Sequence, residues 1–369
     1  MAKKTKSSKP IYQQIEDELT HKIKSGVFRV GEYLPPERTL SSEFKVNRIT
    51  VRKAIKNLIA RNLVVSIPGS GNKIINSAER EKEHAKTIAC VFFRNVFQDS
   101  ANPYYSRILS GIESEAGKKG YGVLLTSLGE EYFFGDNKIH DLLDSRKIDG
   151  IIFAGEVSND FIISQFEKGI PCVVIDRDIK GKNITSVRPD NPGGSYNAIK
   201  YLIEMGHRKI GFIRGSLNDK TVQERYEGYT NALKEAGIPL DERYVVEGHF
   251  TVEQGYTCAG ILMDVKPMPT AIFAINDRAA VGAIKAVSEK GLKVGKDISI
   301  IGFDDIDIAA HTNPPLTTIR IFKEEMGITA VSLLINQIEN PSFTPLKSVI
   351  PTELVIRDSV GRLLLKKNK

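Results

Sequence analysis

Two sets of residues in this sequence have the types and spacing for recognition chemistry. The first opens a helix-like stretch, Asn47-Arg48-Ile49-Thr50-Val51-Arg52, with Arg48, Thr50 and Arg52 off the apolar stripe Val51, Ala54, Ile55, Leu58 and Ile59. A helix N-terminus offers unpaired N–H groups to phosphates, and an arginine there reaches both phosphates and guanine edges. The second set runs from Pro103 to Asp305, each member following a short apolar run. It comprises Pro103-Tyr104-Tyr105, Asp176-Arg177-Asp178, Lys220-Thr221 with Arg225, Asn276-Asp277 and Asp304-Asp305. Carboxylates accept hydroxyl hydrogens, arginine and asparagine donate, and tyrosine rings cover C–H faces, which is what a carbohydrate site needs. Singly, an Asp or Asn after a strand is more often a turn former or helix cap. Five such groups at successive strand ends point to a ligand cleft.

The elements that must position the first set lie in the first 76 residues. Ile11, Ile15, Leu19 and Ile23, four apart, predict a helix with Gly26 as its stop. Pro35-Pro36 precede a second helix from Glu37 to Phe44. Asn47 caps a third. Leu63–Ile67 and Lys73–Ile75 read as strands joined by the turn Pro68-Gly69-Ser70-Gly71-Asn72, a glycine-rich tip whose backbone can approach DNA closely. Three helices and a hairpin make a winged helix-turn-helix. Charge agrees. The chain has 369 residues and a net charge of +7, yet residues 1–86 hold 18 Lys and Arg against 9 Asp and Glu. The whole basic excess, +9, lies there, leaving −2 for the rest. A lone arginine would read as solvated surface. Two arginines and a threonine opening a helix in a basic head read as DNA contacts.

These residues resemble the GntR family of bacterial winged-helix regulators. Tyr12-Gln13-Gln14-Ile15, Leu34-Pro35-Pro36-Glu37-Arg38, Val46-Asn47-Arg48-x-Thr50-Val51-Arg52-x-Ala54 and Gly69-x-Gly71 occur in order at family spacing. The resemblance implies that Arg38, Asn47, Arg48, Thr50, Arg52, Gly69, Ser70 and Gly71 face double-stranded operator DNA. Asn47 replaces the usual Ser or Thr, and Asn72 the usual Thr of the wing.

Beyond a polar, charged linker (77–86), short apolar runs alternate with helical patterns. Strands are predicted at Thr87–Phe93, Gly122–Leu125, Gly150–Phe153, Cys172–Ile175, Lys209–Ile213, Thr270–Ala274 and Ser299–Gly302. Helices are predicted at Tyr105–Lys119, Ser195–Met205, Arg225–Ala236, Val252–Met263 and Arg278–Lys290. Repeated βα units form a parallel sheet with helices on both faces, and the length favours two doubly wound lobes, an α/β fold. Ligands of such sheets sit beyond the strand C-termini.

This part is similar to the effector domain of the LacI/GalR family. The similarity is carried by Asn102-Pro103-Tyr104-Tyr105, Gly150-Ile151-Ile152, Asp190-Asn191-x-x-Gly194, Gly206-His207-Arg208-Lys209-Ile210-Gly211, Arg225-x-x-Gly228-Tyr229, Asn276-Asp277, Ile301-Gly302-Phe303-Asp304-Asp305 and Pro314-Pro315-Leu316-Thr317-Thr318-Ile319. It implies a two-lobed, periplasmic-binding-protein-like domain whose chain crosses between lobes three times. It also implies effector contacts at Tyr104, Tyr105, Asp176, Arg177, Thr221, Arg225, Phe250, Asn276 and Asp304. A GntR-like head on a LacI-like body is the arabinose-repressor type of bacterial regulator.

The expected organisation is a disordered basic arm (1–9), the head (10–76), the linker (77–86), the body (87–358) and a basic tail (359–369). The expected function is a cytoplasmic, ligand-responsive regulator, most simply a repressor, binding operator DNA as a homodimer and released by a sugar or sugar derivative; the alternative is an activator or co-repressor-dependent regulator of the same architecture. A sugar-transport protein would leave the basic head unexplained, and an enzyme would need a nucleophile, metal or cofactor motif. The segment Gly291–Asp297 is one residue short of a phosphate loop, and there is no HExxH or GxSxG. Cys90, Cys172 and Cys258 form no CxxC pair and read as reduced core thiols. No membrane span and no cofactor are expected.

Overall fold

A computed structural model describes residues 9–24, 27–60, 63–67, 70–74, 86–93, 103–128, 148–155, 157–340 and 342–363. The chain divides into two compact units, Met1–His84 and Ala85–Lys369.

In the first unit, helices α1 (Ile11–Lys24), α2 (Glu37–Glu43) and α3 (Arg48–Ala60) precede an antiparallel hairpin of β1 (Val64–Ile67) and β2 (Gly71–Ile74). The apolar stripe of α3 is buried at Val51, Ala54, Ile55 and Leu58 against Ile15 and Leu19 of α1 and Leu40 of α2. Asn47 caps α3 as its sequence indicates: its Oδ1 accepts from the Thr50 backbone N–H at 2.8 Å and the Thr50 hydroxyl at 2.7 Å. Tyr33 bridges Lys73, so a third short segment backs the hairpin. The expected arm (apart from Lys9), Gly26, Gly69 and the linker (apart from Lys86) lie outside the described residues.

The second unit has two lobes. In lobe 1, β3 (Thr87–Phe93), β4 (Gly122–Leu128), β5 (Gly150–Ala154), β6 (Cys172–Ile175), β7 (Thr185–Pro189) and β13 (Lys347–Ile350) form one sheet in the order β13-β7-β6-β5-β3-β4, parallel throughout. Strand side chains alternate between faces. Ile88, Cys90 and Phe92 pack towards α4 (Pro103–Lys118) and α10 (Lys323–Glu339), and Ala89 and Val91 towards α5 (Asn159–Glu167). Lobe 2 is a parallel sheet in the order β11-β10-β8-β9, from β8 (Ile210–Arg214), β9 (Val245–Glu247), β10 (Ala271–Ala274) and β11 (Ser299–Ile301). Its helices are α6 (Asn191–Glu204), α7 (Lys220–Glu235), α8 (Val252–Asp264) and α9 (Asp277–Glu289). A ladder of β12 (Thr318–Ile321) and β14 (Thr352–Val355) completes the body.

The chain passes between lobes three times: from β7 into α6, from β12 into α10, and from β13 into β14. Helices α4 and α10 cross backbone to backbone. A Cβ at Gly111 would collide with the Glu324 carbonyl, and one at Gly327 with that of Ile108. This close approach brings the start of α4, with Tyr104, near the start of α10, with Lys323, whose Nζ lies 5.9 Å from the Tyr104 ring.

The structure corrects the expected tail. Residues 359–363 belong to the body: Ser359 and Val360 are buried, and the Ser359 hydroxyl donates to the Ile300 carbonyl at 2.6 Å. The Gly206-His207 segment holds this strap. Leu363 N–H donates to the Met205 carbonyl at 2.8 Å. His207, 2% exposed, stands between the Thr270 hydroxyl (3.0 Å) and the Gly361 carbonyl (3.1 Å). A carbonyl only accepts, so Nε2 carries the proton and Nδ1 accepts from Thr270. Burial holds the His207 pKa below its usual value, against the opposing effect of the Gly361 carbonyl. On acidification the unfolded chain therefore protonates at this position first, and the stability His207 contributes is present above about pH 6.5 and declines below it. In urea unfolding, the stability gap between wild type and His207→Asn should be wider at pH 7.5 than at pH 5.5. A gap independent of pH would contradict this role.

Candidate nucleic-acid interface and ligand cleft

On the head, the side chains of Arg38, Arg48 and Arg52 are exposed, as are Ser70 and Gly71 at the hairpin tip. Gly71 has φ +108°, a conformation open to glycine at little cost. The fork of Arg52 is fixed by Glu37 of α2, with Nε to Oε1 at 3.0 Å and Nη2 to Oε2 at 2.8 Å. The pair holds the Glu37 carboxyl below its ordinary pKa, chiefly through the Arg52 hydrogen bonds. Asn47 and Thr50 satisfy each other in the helix cap, so a phosphate contact by Asn47 falls to its amide Nδ2. Ile49, 76% exposed beside Arg48, escaped the sequence reading because an apolar residue off the stripe carries no charge signal. On a reading helix such a side chain suits a thymine methyl group.

Glu37→Gln should leave folding intact, because exposed ion pairs contribute little to stability. It should still weaken operator binding several-fold by releasing the Arg52 fork. Fluorescence anisotropy on labelled operator checks this, and unchanged affinity would show that Glu37 does not position Arg52.

In the body, the groups singled out by sequence stand at the C-terminal ends of the strands in both lobes. Tyr104 and Tyr105 open α4 after β3. The Tyr104 hydroxyl donates to Asp176 Oδ1 at 2.6 Å, and the two rings meet edge to face at 5.1 Å. Asp176 follows β6 with φ +76°. Burial pushes its pKa up to about 6; Tyr104 and Tyr105 oppose this through hydrogen bonds, and the charges of Asp304 and Arg225 reach it from lobe 2. Tyr104 is also raised well above its usual value, first by burial and then by Asp176 and Asp304.

Across the cleft, Arg225 of α7 is 3% exposed. It donates to Asn191 Oδ1 (3.0 Å), the Ile275 carbonyl (2.5 Å) and Asp304 Oδ1 (3.1 Å), and its guanidinium carbon lies 3.7 Å from the Phe303 ring centroid. Asp304 has φ +104° and Asp305 φ +50°. Non-glycine residues held there store about 1–3 kcal/mol of strain each, a feature concentrated at functional sites. The Asp304 pKa is raised by burial, against the lowering effect of Arg225 and Lys323.

The remaining expected residues are more peripheral. Asn276 caps α9, its Oδ1 accepting from Ala279 N–H at 2.9 Å and its Nδ2 donating to the Phe250 carbonyl at 3.2 Å. A Cβ on Gly215 would lie 3.3 Å from the Phe250 ring, which places that ring beyond β8. Thr221 lies in the first turn of α7, its backbone N–H capped by Asp219 at 2.7 Å. Arg177 donates to the Val157 carbonyl.

Sequence reasoning missed four supports. Asn191 bonds both Arg225 and Glu224, the latter at 3.1 Å. Arg188 lies 3.5 Å from Glu224 and 3.7 Å from Asp178, joining the lobes. Lys323, buried at the start of α10, donates to the carbonyls of Asp304, Asp305 and Ile321. Asn191 and Asp277 lay within motifs the sequence offered; Arg188 and Lys323 did not. Asp277, a neighbour of Asn276, is fully buried and holds the Ile306 N–H (2.8 Å) and the Thr318 hydroxyl (2.5 Å), a structural role.

Among the described residues no three or more His, Cys, Asp and Glu are grouped to hold a metal ion, and no helix is long and apolar enough to cross a membrane. The three cysteines are buried and unpaired, and burial pushes their thiols up, which makes them inert.

A winged head and a two-lobed, strand-end cleft define a class of ligand-responsive DNA-binding proteins. Residues 11–74 match the family of bacterial regulatory proteins, gntR family, and residues 199–360 match a periplasmic binding protein-like domain. The chain is 36% identical over 268 residues to the HTH-type transcriptional repressor PurR of Pasteurella multocida, covering 72% of this chain and 80% of that one. It is 32% identical over 291 residues to the probable HTH-type transcriptional repressor ExuR of Bacillus subtilis, covering 78% and 85%. A LacI family transcriptional regulator from Enterococcus faecium with bound ribose superposes with a TM-score of 0.66 at 29% identity, covering 75% of this chain and all of that one. The chain belongs to the LacI/GalR family of transcriptional repressors and carries a GntR-type head. It is a transcriptional regulator.

Proposed function

We propose that this regulator is a cytoplasmic, non-enzymatic repressor that binds a pseudo-palindromic operator as a homodimer and is released by a carbohydrate held between its lobes. The organisation we propose is the head at 10–76, a linker at 77–86 and a body from 87. The observation that carries the reading is the convergence of Tyr104 and Asp176 from one lobe with Arg225 and Asp304 from the other. Tyr105, Asn276, Thr221, Phe250 and Arg177 border it. Groups on both sides of a cleft let one ligand hold two lobes in one arrangement, and a ligand favouring that arrangement shifts the population towards it.

In the head, Arg38, Arg48, Thr50, Arg52, Asn47 and the tip Gly69–Gly71 meet the DNA. One winged helix covers few base pairs, so two-fold protein symmetry is matched by a two-fold site. Closure in the body changes the spacing of the two heads. Thermal-shift screening against a sugar panel, followed by gel-shift assay with the stabilising sugar, tests the reading. A sugar that raises Tm and releases operator DNA without being turned over supports it. A panel in which no sugar raises Tm, or a sugar that the protein converts, overturns it.

A further inference from the structure

We propose that Ile49 is a specificity-determining residue of the head, reading the C5-methyl group of one thymine in each operator half-site. This rests on the reading of α3 as the helix that meets the DNA.

A single exposed apolar side chain is ordinary on a protein surface, and it is the setting of Ile49 that distinguishes it. At 76%, it is the most exposed large apolar residue among those described. It is the second residue of α3, next to Arg48, and shares a face with Arg52 and Lys53 one turn on, all three of them exposed. Helix α3 contains no acidic residue. The positive end of a helix dipole favours anionic side chains, and here it carries cations instead. Such a surface repels a basic partner and draws a polyanion. Whatever covers Ile49 must therefore present an apolar group from within an anionic surface. In the major groove of DNA the thymine methyl is that group.

Hydrogen-bond accounting leaves the discrimination to Ile49. Asn47 Oδ1 accepts from both the backbone N–H and the hydroxyl of Thr50. The Thr50 hydroxyl has thus given its proton and offers only lone pairs, while Arg48 and Asn47 Nδ2 offer only donors. Donors find acceptors on guanine, adenine and thymine alike. The methyl group marks thymine alone, and its partner is an apolar side chain. A β-branched residue in a helix is held mostly in one χ1 rotamer, so Ile49 loses little freedom on making the contact.

The test uses the full chain and an operator obtained by selection from a pool of random-sequence duplexes. Each thymine of the selected operator is replaced in turn by deoxyuridine, in both half-sites at once, which removes the methyl group and keeps the hydrogen-bonding edge. Fluorescence anisotropy on the labelled duplexes gives the affinities. At one position the change should weaken wild-type binding about 15-fold, the product of about fourfold for one buried methyl group in each half-site. Ile49→Ser should bind the thymine and deoxyuridine duplexes alike at that position, with folding checked by circular dichroism. The side chain is exposed and lies outside the core of the head, so the substitution leaves that core intact.

Wild-type binding indifferent to deoxyuridine at every position overturns the inference. A methyl effect that persists in Ile49→Ser overturns it too, because another side chain then reads the methyl group. Arg48→Ala separates this from the underlying reading. If that variant binds the operator more weakly while the methyl effect is absent, α3 still meets the DNA and only the role of Ile49 falls. If it binds as tightly as wild type, the reading of α3 falls and the inference with it.

Discussion

Arg225→Ala should destabilise the body by about 3–5 kcal/mol, because removing one partner of a buried pair leaves the other charge uncompensated. The guanidinium is 3% exposed and bonds three acceptors from three different segments. Its loss orphans Asn191 Oδ1, the Ile275 carbonyl and Asp304 Oδ1 together and removes the cation lying over Phe303. Arg225→Lys should recover only part, since an ammonium cannot reproduce a planar fork that reaches three acceptors. Asp304→Asn should cost much less, because the amide oxygen can still accept from Arg225. Urea unfolding followed by circular dichroism measures all three. A loss under about 1 kcal/mol for Arg225→Ala, the scale of a surface pair, would mean that the network does not hold the lobe 2 side of the cleft.

The second large effect is on DNA. Arg48→Ala and Arg52→Ala should each weaken specific operator binding by about 5- to 150-fold, the scale of a lost base contact. Calorimetric affinity for the effector should be unchanged in both. Arg52→Lys should restore little, because Glu37 holds the two-pronged face of the guanidinium. Wild-type binding should fall steeply with salt, as released counterions require. Operator affinity equal to wild type in both alanine variants would remove α3 from the DNA.

Much of this was legible in the sequence because apolar period and punctuation coincide with it. The strands Thr87–Phe93 and Cys172–Ile175 stand where their apolar runs stand, and α3 buries the stripe its spacing describes. The strands that escaped are short: β7 reads Thr-Ser-Val-Arg-Pro, β9 Val-Val-Glu, β12 Thr-Ile-Arg-Ile, β13 Lys-Ser-Val-Ile and β14 Thr-Glu-Leu-Val. Their places are set by pairing, as when Val173 aligns with Thr185 and Val187 with Ile175, and pairing leaves no local pattern. Helix α10 was missed although it packs against three strands of lobe 1. Its first turn, Lys-Glu-Glu, looks like solvated surface until the crossing with α4 buries Lys323.

For the cleft, the residue types at strand ends gave the chemistry, but not which groups are already engaged. Arg225 reads as a ligand fork in sequence and stands in the structure as a brace between Asn191 and Asp304. Ser359 and Val360 read as tail because nothing local marks a strap whose partners, Ile300 and Thr317, are far away in the chain.

The most direct measurement is reciprocal linkage. Operator affinity is measured by anisotropy with and without saturating effector, and effector affinity by calorimetry with and without saturating operator, for wild type and Asp304→Ala. The expected result is that effector weakens wild-type operator binding, that operator weakens effector binding by the same factor, and that neither effect appears in Asp304→Ala at effector concentrations that saturate wild type. Operator affinity unchanged while calorimetry shows the cleft filled would contradict release by a ligand between the lobes.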